Sequence, residues 1–204
     1  MTNRIISRLM AGILLGAICL VQSLSAEERF IATSENFTVS VPMPGFAALG
    51  PPEESRQSGV GQSGYPIVID ELIPAGESFD NWLSLFAIKL EESVALTMDE
   101  YVGQLKTVYF NACENLFEPM IFSFEDQDAL KMFVIPCGSY VDDPSRGEVA
   151  IFTIYKFGQN YLNVYQHWRG AAFNAMDPTS WPVTPEQMDV YLANATDIDL
   201  ESRN

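Results

Sequence analysis

The chain of 204 residues is poor in cations, with 11 Lys and Arg against 27 Asp and Glu and a formal net charge of −16. A surface of that sign repels phosphate backbones and anionic headgroups over long range, which excludes nucleic acid as a partner. Histidine is scarcer still, at one residue, His167, and cysteine numbers three. A Ser-His-acid triad therefore has a single available imidazole. No G-x-S-x-G elbow accompanies it, since Gly61-Gln62-Ser63-Gly64 lacks the spacing. With 13 Gly, 12 Pro and 48% hydrophobic residues, the chain is neither collagen-like nor disordered, and its length suits one domain. Beyond residue 27 no apolar run approaches the roughly 20 residues of a membrane helix. The processed chain is thus expected to be soluble, with no integral membrane segment.

What is present begins with an export signal. Arg4 and Arg8 supply a positive start, residues 9–21 an apolar run of 13, and Ser25-Ala26 small residues ahead of a cut between Ala26 and Glu27. Thirteen residues are too few to anchor the chain in a bilayer. Cys19 lies within this run, and Ile18 before it is not the small residue of a lipoprotein site, so Cys19 leaves with the signal. The expected location is periplasmic or secreted. Arg4 and Arg8 are the only charged residues of the signal, so 11 cations fall to 9 against 27 acids, and the mature chain carries −18. The acids are dispersed and read as a solvating surface.

Two cysteines remain, Cys113 and Cys137, and an even count in an exported chain predicts a disulfide between them. Closing a loop of about 25 residues stabilises by on the order of 3.5 kcal/mol in the chain-entropy treatment. A nucleophilic or zinc-binding thiol would need further ligands or a base, and His167 is the sole histidine. For calcium, Asp126, Asp128 and Asp142-Asp143 offer oxygens but not the EF-hand layout, and they read as turn residues. Gly59, Gly61 and Gly64 match G-x-G-x-x-G, yet Pro51-Pro52 precedes them and Tyr65-Pro66 follows, where a dinucleotide site needs a strand and then a helix. No metal or cofactor is expected. A glycosidase-type carboxylate pair is not identifiable, because separation is a tertiary property.

Alternating and apolar runs predict strands over 28–34, 36–42, 65–73, 81–90, 119–125, 130–136, 147–157 and 160–168. Residues 45–64, rich in Gly, Pro and Ser, read as an exposed flexible loop, and 197–204 as a frayed acidic tail. Thr97 with Glu100, and Thr184 with Pro185 and Gln187, are capping boxes that open two helices. The first has an apolar stripe from Met98 through Tyr101, Leu105, Val108 and Tyr109 to Cys113; the second buries Met188, Tyr191, Leu192 and Ala195. Short connections among the last four strands dictate an antiparallel meander, expected in the middle of the sheet. The whole predicts a single α+β domain over 27–204, an antiparallel sheet of about six to eight strands with two main helices packed on it.

Pro74-x-Gly76-Glu77-x-x-x-Asn81-Trp82 resembles a pattern of uncharacterised exported bacterial proteins, and the order of elements is similar to the PsbP and Mog1 type of α/β/α sandwich. That resemblance implies an accessory or binding role and transfers no site residue. His167 sits late in a strand among Tyr165, Gln166 and Trp168, the setting of a packed histidine. The expected function is therefore a non-enzymatic module that binds a protein partner or a small ligand. The alternatives are a secreted hydrolase using carboxylates or His167, and a structural subunit of an envelope assembly. Trp82, Trp168 and Trp181, with 13 Phe and 8 Tyr, serve mainly the core, and an aromatic cleft on an acidic body is the binding surface they suggest.

Overall fold

The computed structural model describes residues 28–61, 64–117, 120–122 and 129–203, so the expected cut between Ala26 and Glu27, Cys19, Asp126 and Asp128 lie outside the described residues. Seven strands form the main sheet: β3 (Glu53–Val60), β4 (Pro66–Ile73), β5 (Ser84–Glu91), β6 (Met120–Phe122), β7 (Leu130–Cys137), β8 (Arg146–Phe157) and β9 (Asn160–Ala171). Their order is β3-β4-β5-β9-β8-β7-β6, and every neighbouring pair is antiparallel. A second sheet of β1 (Arg29–Thr33), β2 (Phe37–Pro42) and β10 (Asp199–Ser202) runs β1-β2-β10. Two α-helices, α1 (Met98–Ala112) and α2 (Pro185–Thr196), complete the α+β architecture.

Local chemistry accounts for the best-defined boundaries. Thr97 accepts from the Glu100 backbone N–H while the Glu100 carboxylate accepts from the Thr97 N–H, and Thr184 with Gln187 repeats the arrangement. Each box satisfies two amides that the first helical turn leaves without partners. Between β8 and β9 the loop is two residues, Gly158 and Gln159, closed by the Phe157↔Asn160 pair. Gly158 has φ +63°, the glycine position of a type II′ hairpin turn.

Strand alternation splits the apolar residues between the two faces of the main sheet. Phe86, Ile88, Val149, Ile151, Val164 and Trp168 face β1, β2 and α2, meeting Phe30, Val39, Val41 and Tyr191. The Tyr191 hydroxyl donates to the Val164 carbonyl at 2.8 Å and lies 2.9 Å from Thr153 Oγ1, which pins α2 over the sheet centre. On the opposite face Phe133, Ile135, Phe152 and Ile154 meet Met98, Tyr101 and Val102 of α1. The main sheet thus lies between α1 and a layer made of α2 and the small sheet.

Three details differ from the sequence reading. Residues 45–64, expected to be a flexible loop, contain β3, which pairs with β4 from Glu53↔Ile73 to Val60↔Pro66. As a solvent-lapped edge strand it is polar on both sides, so no hydrophobic period marks it. In the expected tail, β10 pairs with β2 from Asp199↔Ser40 to Ser202↔Phe37, held by backbone hydrogen bonds and by Arg29 beside Asp197 and Asp199. The four-stranded meander occupies one half of the sheet, not its middle, because β9 pairs with β5 and the β3-β4-β5 meander fills the other half.

Candidate functional site

Helix α1 covers the main sheet unevenly, and the uncovered part is the site. Its buried residues, Met98, Tyr101 and Val102, all lie near its N-terminus. Farther along, Leu105 and Tyr109 are half-buried and Val108 is 62% exposed, although the helical period places all three on the inward stripe. The C-terminal end is tethered instead by chemistry: Cys113 and Cys137 Sγ stand at 2.11 Å in a disulfide, and bridges Cys113↔Tyr140 and Leu116↔Cys137 extend the attachment. The helix is thus packed at one end and fastened to the end of β7 at the other, and a groove runs between it and β4, β5 and β9.

Register determines what lines the groove floor. On this face one rung runs Ser55–Glu71–Ala87–Tyr165–Phe152–Phe133, and the next runs Gln57–Ile69–Lys89–Asn163–Ile154–Lys131. Two further positions along β9 from Tyr165, His167 pairs with Leu85 and Ala150, and then Arg169 pairs with Glu148. The groove has two lobes. One, of about 480 Å³, is lined by Phe79, Trp82, Tyr140, Glu148 and Arg169; the other, of about 530 Å³, by Ile67, Ile69, Leu105, Phe152 and Asn163. Val108, Tyr109, Tyr165 and His167 border both, so the lobes are continuous.

Glu148 organises the first lobe. It is 3% exposed, just ahead of the apolar run Val149-Ala150-Ile151-Phe152 of β8. Tyr140 donates to Oε2 at 2.6 Å and Arg169 Nε at 3.0 Å; on Oε1, Tyr109 donates at 3.3 Å and His167 Nδ1 lies at 3.2 Å. Burial alone would raise the Glu148 pKa, but His167, Tyr140 and Arg169 together overcome it and hold the group at about 2. The Arg169 guanidinium is sandwiched further, with Cζ 3.5 Å from the centre of the Trp82 ring. Burial, reinforced by the Glu148 charge, pushes the Tyr109 hydroxyl well above its ordinary value and that of Tyr140 upward. Both tyrosines are therefore neutral donors. Glu71, lining the same lobe, is raised by burial and opposed by His167.

Chemically the lobe is a saturated anion cage. His167 Nε2 lies 3.3 Å from the Tyr109 hydroxyl, a group whose raised pKa makes it a poor nucleophile, so the Glu148–His167 pair is not extended into a triad by this contact. Among the described residues no three His, Cys, Asp or Glu side chains group as a metal site, and no helix is long and apolar enough to cross a membrane. Asp142 and Asp143 sit beside Arg146 in the turn before β8, where Asp143 accepts from Ser145. His167 is packed among aromatic rings as the sequence implies, with Phe152, Tyr165, Tyr109 and Trp82 centroids 5.1–6.3 Å away. Glu148, Arg169, Tyr140 and Tyr109 were not identifiable as site residues from spacing, although one carboxylate immediately before the apolar run Val149-Ala150-Ile151-Phe152 is a signal that strand periodicity leaves unexplained. No protein-family model and no curated protein matches the chain.

Proposed function

We propose that this chain is an exported, non-enzymatic binding module that holds a small, largely apolar ligand in the groove between α1 and the β4-β5-β9 face. The observation that carries the reading is the contrast within the groove. In the first lobe both Glu148 oxygens are occupied and Arg169 is stacked on Trp82, while the walls the lobes share are largely aromatic and aliphatic and open. A general base or nucleophile would have to be presented to a reactant, whereas a saturated cluster shapes and stiffens a wall. Two cavities of about 480 and 530 Å³ that join at Val108 fall within the size range of small-molecule sites. The signal-like start and the Cys113–Cys137 disulfide support a periplasmic or secreted location.

The hydrolase alternative draws on one observation, the Glu148–His167 contact. The two readings separate on Val108, which borders both lobes and is mostly exposed, so that Val108→Arg fills the groove without disturbing the core. Non-reducing native mass spectrometry of the protein from its host envelope should show a bound small mass that Val108→Arg loses while keeping its melting temperature. Turnover on a hydrolase panel that His167→Ala abolishes would overturn the binding reading.

A further inference from the structure

Strand β4 turns Ile67, Ile69, Glu71 and Ile73 to the groove side of the sheet, so a single carboxylate stands in an otherwise apolar row. Its cross-strand neighbours, Ser55 and Ala87, are both short, and Glu71 is half-buried on the floor of the first lobe without a taller side chain beside it on either strand. Oε2 accepts from Gln57 Nε2 at 3.3 Å in an exposed contact, and no Lys or Arg offsets the charge of Glu71 among the described residues. Arg169, which lines the same lobe, is committed to Glu148 and stacked on Trp82. Phe79, Tyr109 and Tyr165 supply aromatic walls. Burial raises the Glu71 pKa against the opposing effects of His167 and Gln57, so the fold itself does not fully compensate the charge it has placed there.

We infer that Glu71 is the recognition residue of this groove, and that the ligand is a protonated amine with an apolar body. The inference rests on the groove being a binding site, and adds the chemical class that it takes. In the empty groove water can solvate the Glu71 carboxylate, so the class of ligand follows from what happens when the lobe fills. A neutral apolar body would strip that water and leave an ionised group desolvated without a partner, which is costly. A carboxylate would add repulsion from Glu71 and from a chain of net charge −16. An ammonium replaces the lost water with a charge-assisted hydrogen bond, and it is attracted both by the faces of the surrounding aromatic rings and by the acidic chain as a whole. The body then has a direction. Ile69 lies two positions from Glu71 on the same face of β4, about 7 Å along the strand, and lines the second lobe with Leu105 and Phe152. An amine held at Glu71 therefore extends its apolar part past Val108 and Tyr165, which border both lobes, into that apolar enclosure.

The test uses three compounds that share one apolar body, 4-phenylbutylamine, 4-phenylbutan-1-ol and 4-phenylbutanoate, titrated into the purified disulfide-bonded protein and followed by amide chemical shifts. At about pH 7.5 the amine is a cation and carboxylates are ionised. The wild type should bind the amine at least tenfold more tightly than the alcohol, and the butanoate more weakly than either. Glu71→Gln should bind amine and alcohol equally, with the alcohol affinity retained, and Val108→Arg should lose both. Ligand-free Glu71→Gln should melt no lower than the wild type, because it removes a charge that the fold leaves uncompensated. Equal wild-type affinity for amine and alcohol, or a preference for the amine that survives Glu71→Gln, would overturn the assignment of Glu71 and leave the groove reading standing. A lower melting temperature for Glu71→Gln would also overturn it, since the carboxylate would then be held by a partner within the protein. Failure of all three compounds to bind the wild type would overturn the groove reading and this inference with it.

Discussion

Replacing Glu148 by Gln removes the one charge that four side chains surround. In the wild type, Tyr140 and Arg169 donate to one oxygen, while Tyr109 donates to the other with His167 Nδ1 beside it. Glutamine supplies an acceptor to one of these pairs and turns an NH₂ group toward the other. The carboxylate is held at about 2 in place of the ordinary 4.5. At about 1.36 kcal/mol per pH unit, that preference corresponds to roughly 3 kcal/mol of stability at pH 7. Breaking a buried ion pair by removing one member costs about 3–5 kcal/mol, so two lines of reasoning agree on the size. The sign follows from the depressed folded-state pKa: the contribution is present above about pH 4.5 and is lost as pH falls toward 2. The stability gap between wild type and Glu148→Gln should then shrink from roughly 3 kcal/mol at pH 7 to less than half of that at pH 3. Urea unfolding of both proteins, followed by tryptophan fluorescence across that range, measures the gap directly, and other carboxylates cancel in the difference. A gap below about 1 kcal/mol at pH 7 would refute the cage. So would a gap that stays constant down to pH 3.

Two further outcomes can be checked on the same apparatus. Cys113→Ser with Cys137→Ser should cost on the order of 3.5 kcal/mol by loop-closure entropy and should weaken ligand binding as well, because the disulfide fastens the end of α1 that borders the groove; unchanged binding by the double variant would show that α1 holds its place without the tether. Gly103 lies inside α1 with nothing within 4 Å of the position of an added Cβ, so Gly103→Ala should raise stability by about 0.8–1 kcal/mol, and a fall in the urea midpoint would contradict that geometry.

How much was legible depended on whether the signal was local. The capping boxes at Thr97 and Thr184 are i, i+3 patterns and appear in the structure as they read in the chain. The α+β class follows from alternation and short connections, which permit only antiparallel neighbours. Strands β3 and β10 were illegible because both lie at sheet edges and are exposed along nearly their whole length, so backbone hydrogen bonds, not side-chain burial, define them. The exposure of Val108 was also illegible: the helical period puts it on the inward stripe, and only the placement of α1, packed at its N-terminus and bonded at Cys113, lifts it off the sheet.

The amino-acid sequence by itself determined the acidic surface, the pairing available to two cysteines, the two capped helices and most of the strands, since each depends on composition or on residues a few positions apart. The tertiary structure alone decided the site. Tyr109 comes from α1, Tyr140 from the turn after β7, Glu148 from β8, and Asn163, His167 and Arg169 from β9. Register places Arg169 opposite Glu148 and leaves Asn163 opposite Ile154. A shift of one residue in that register would turn the β9 members toward α2 instead. The physical reason is that an isolated carboxylate or carboxamide in a strand has no chemistry until its cross-strand neighbours are known: Glu148 finds four partners and becomes a fixed charge, whereas the Asn163 carboxamide is buried with no partner among the described residues.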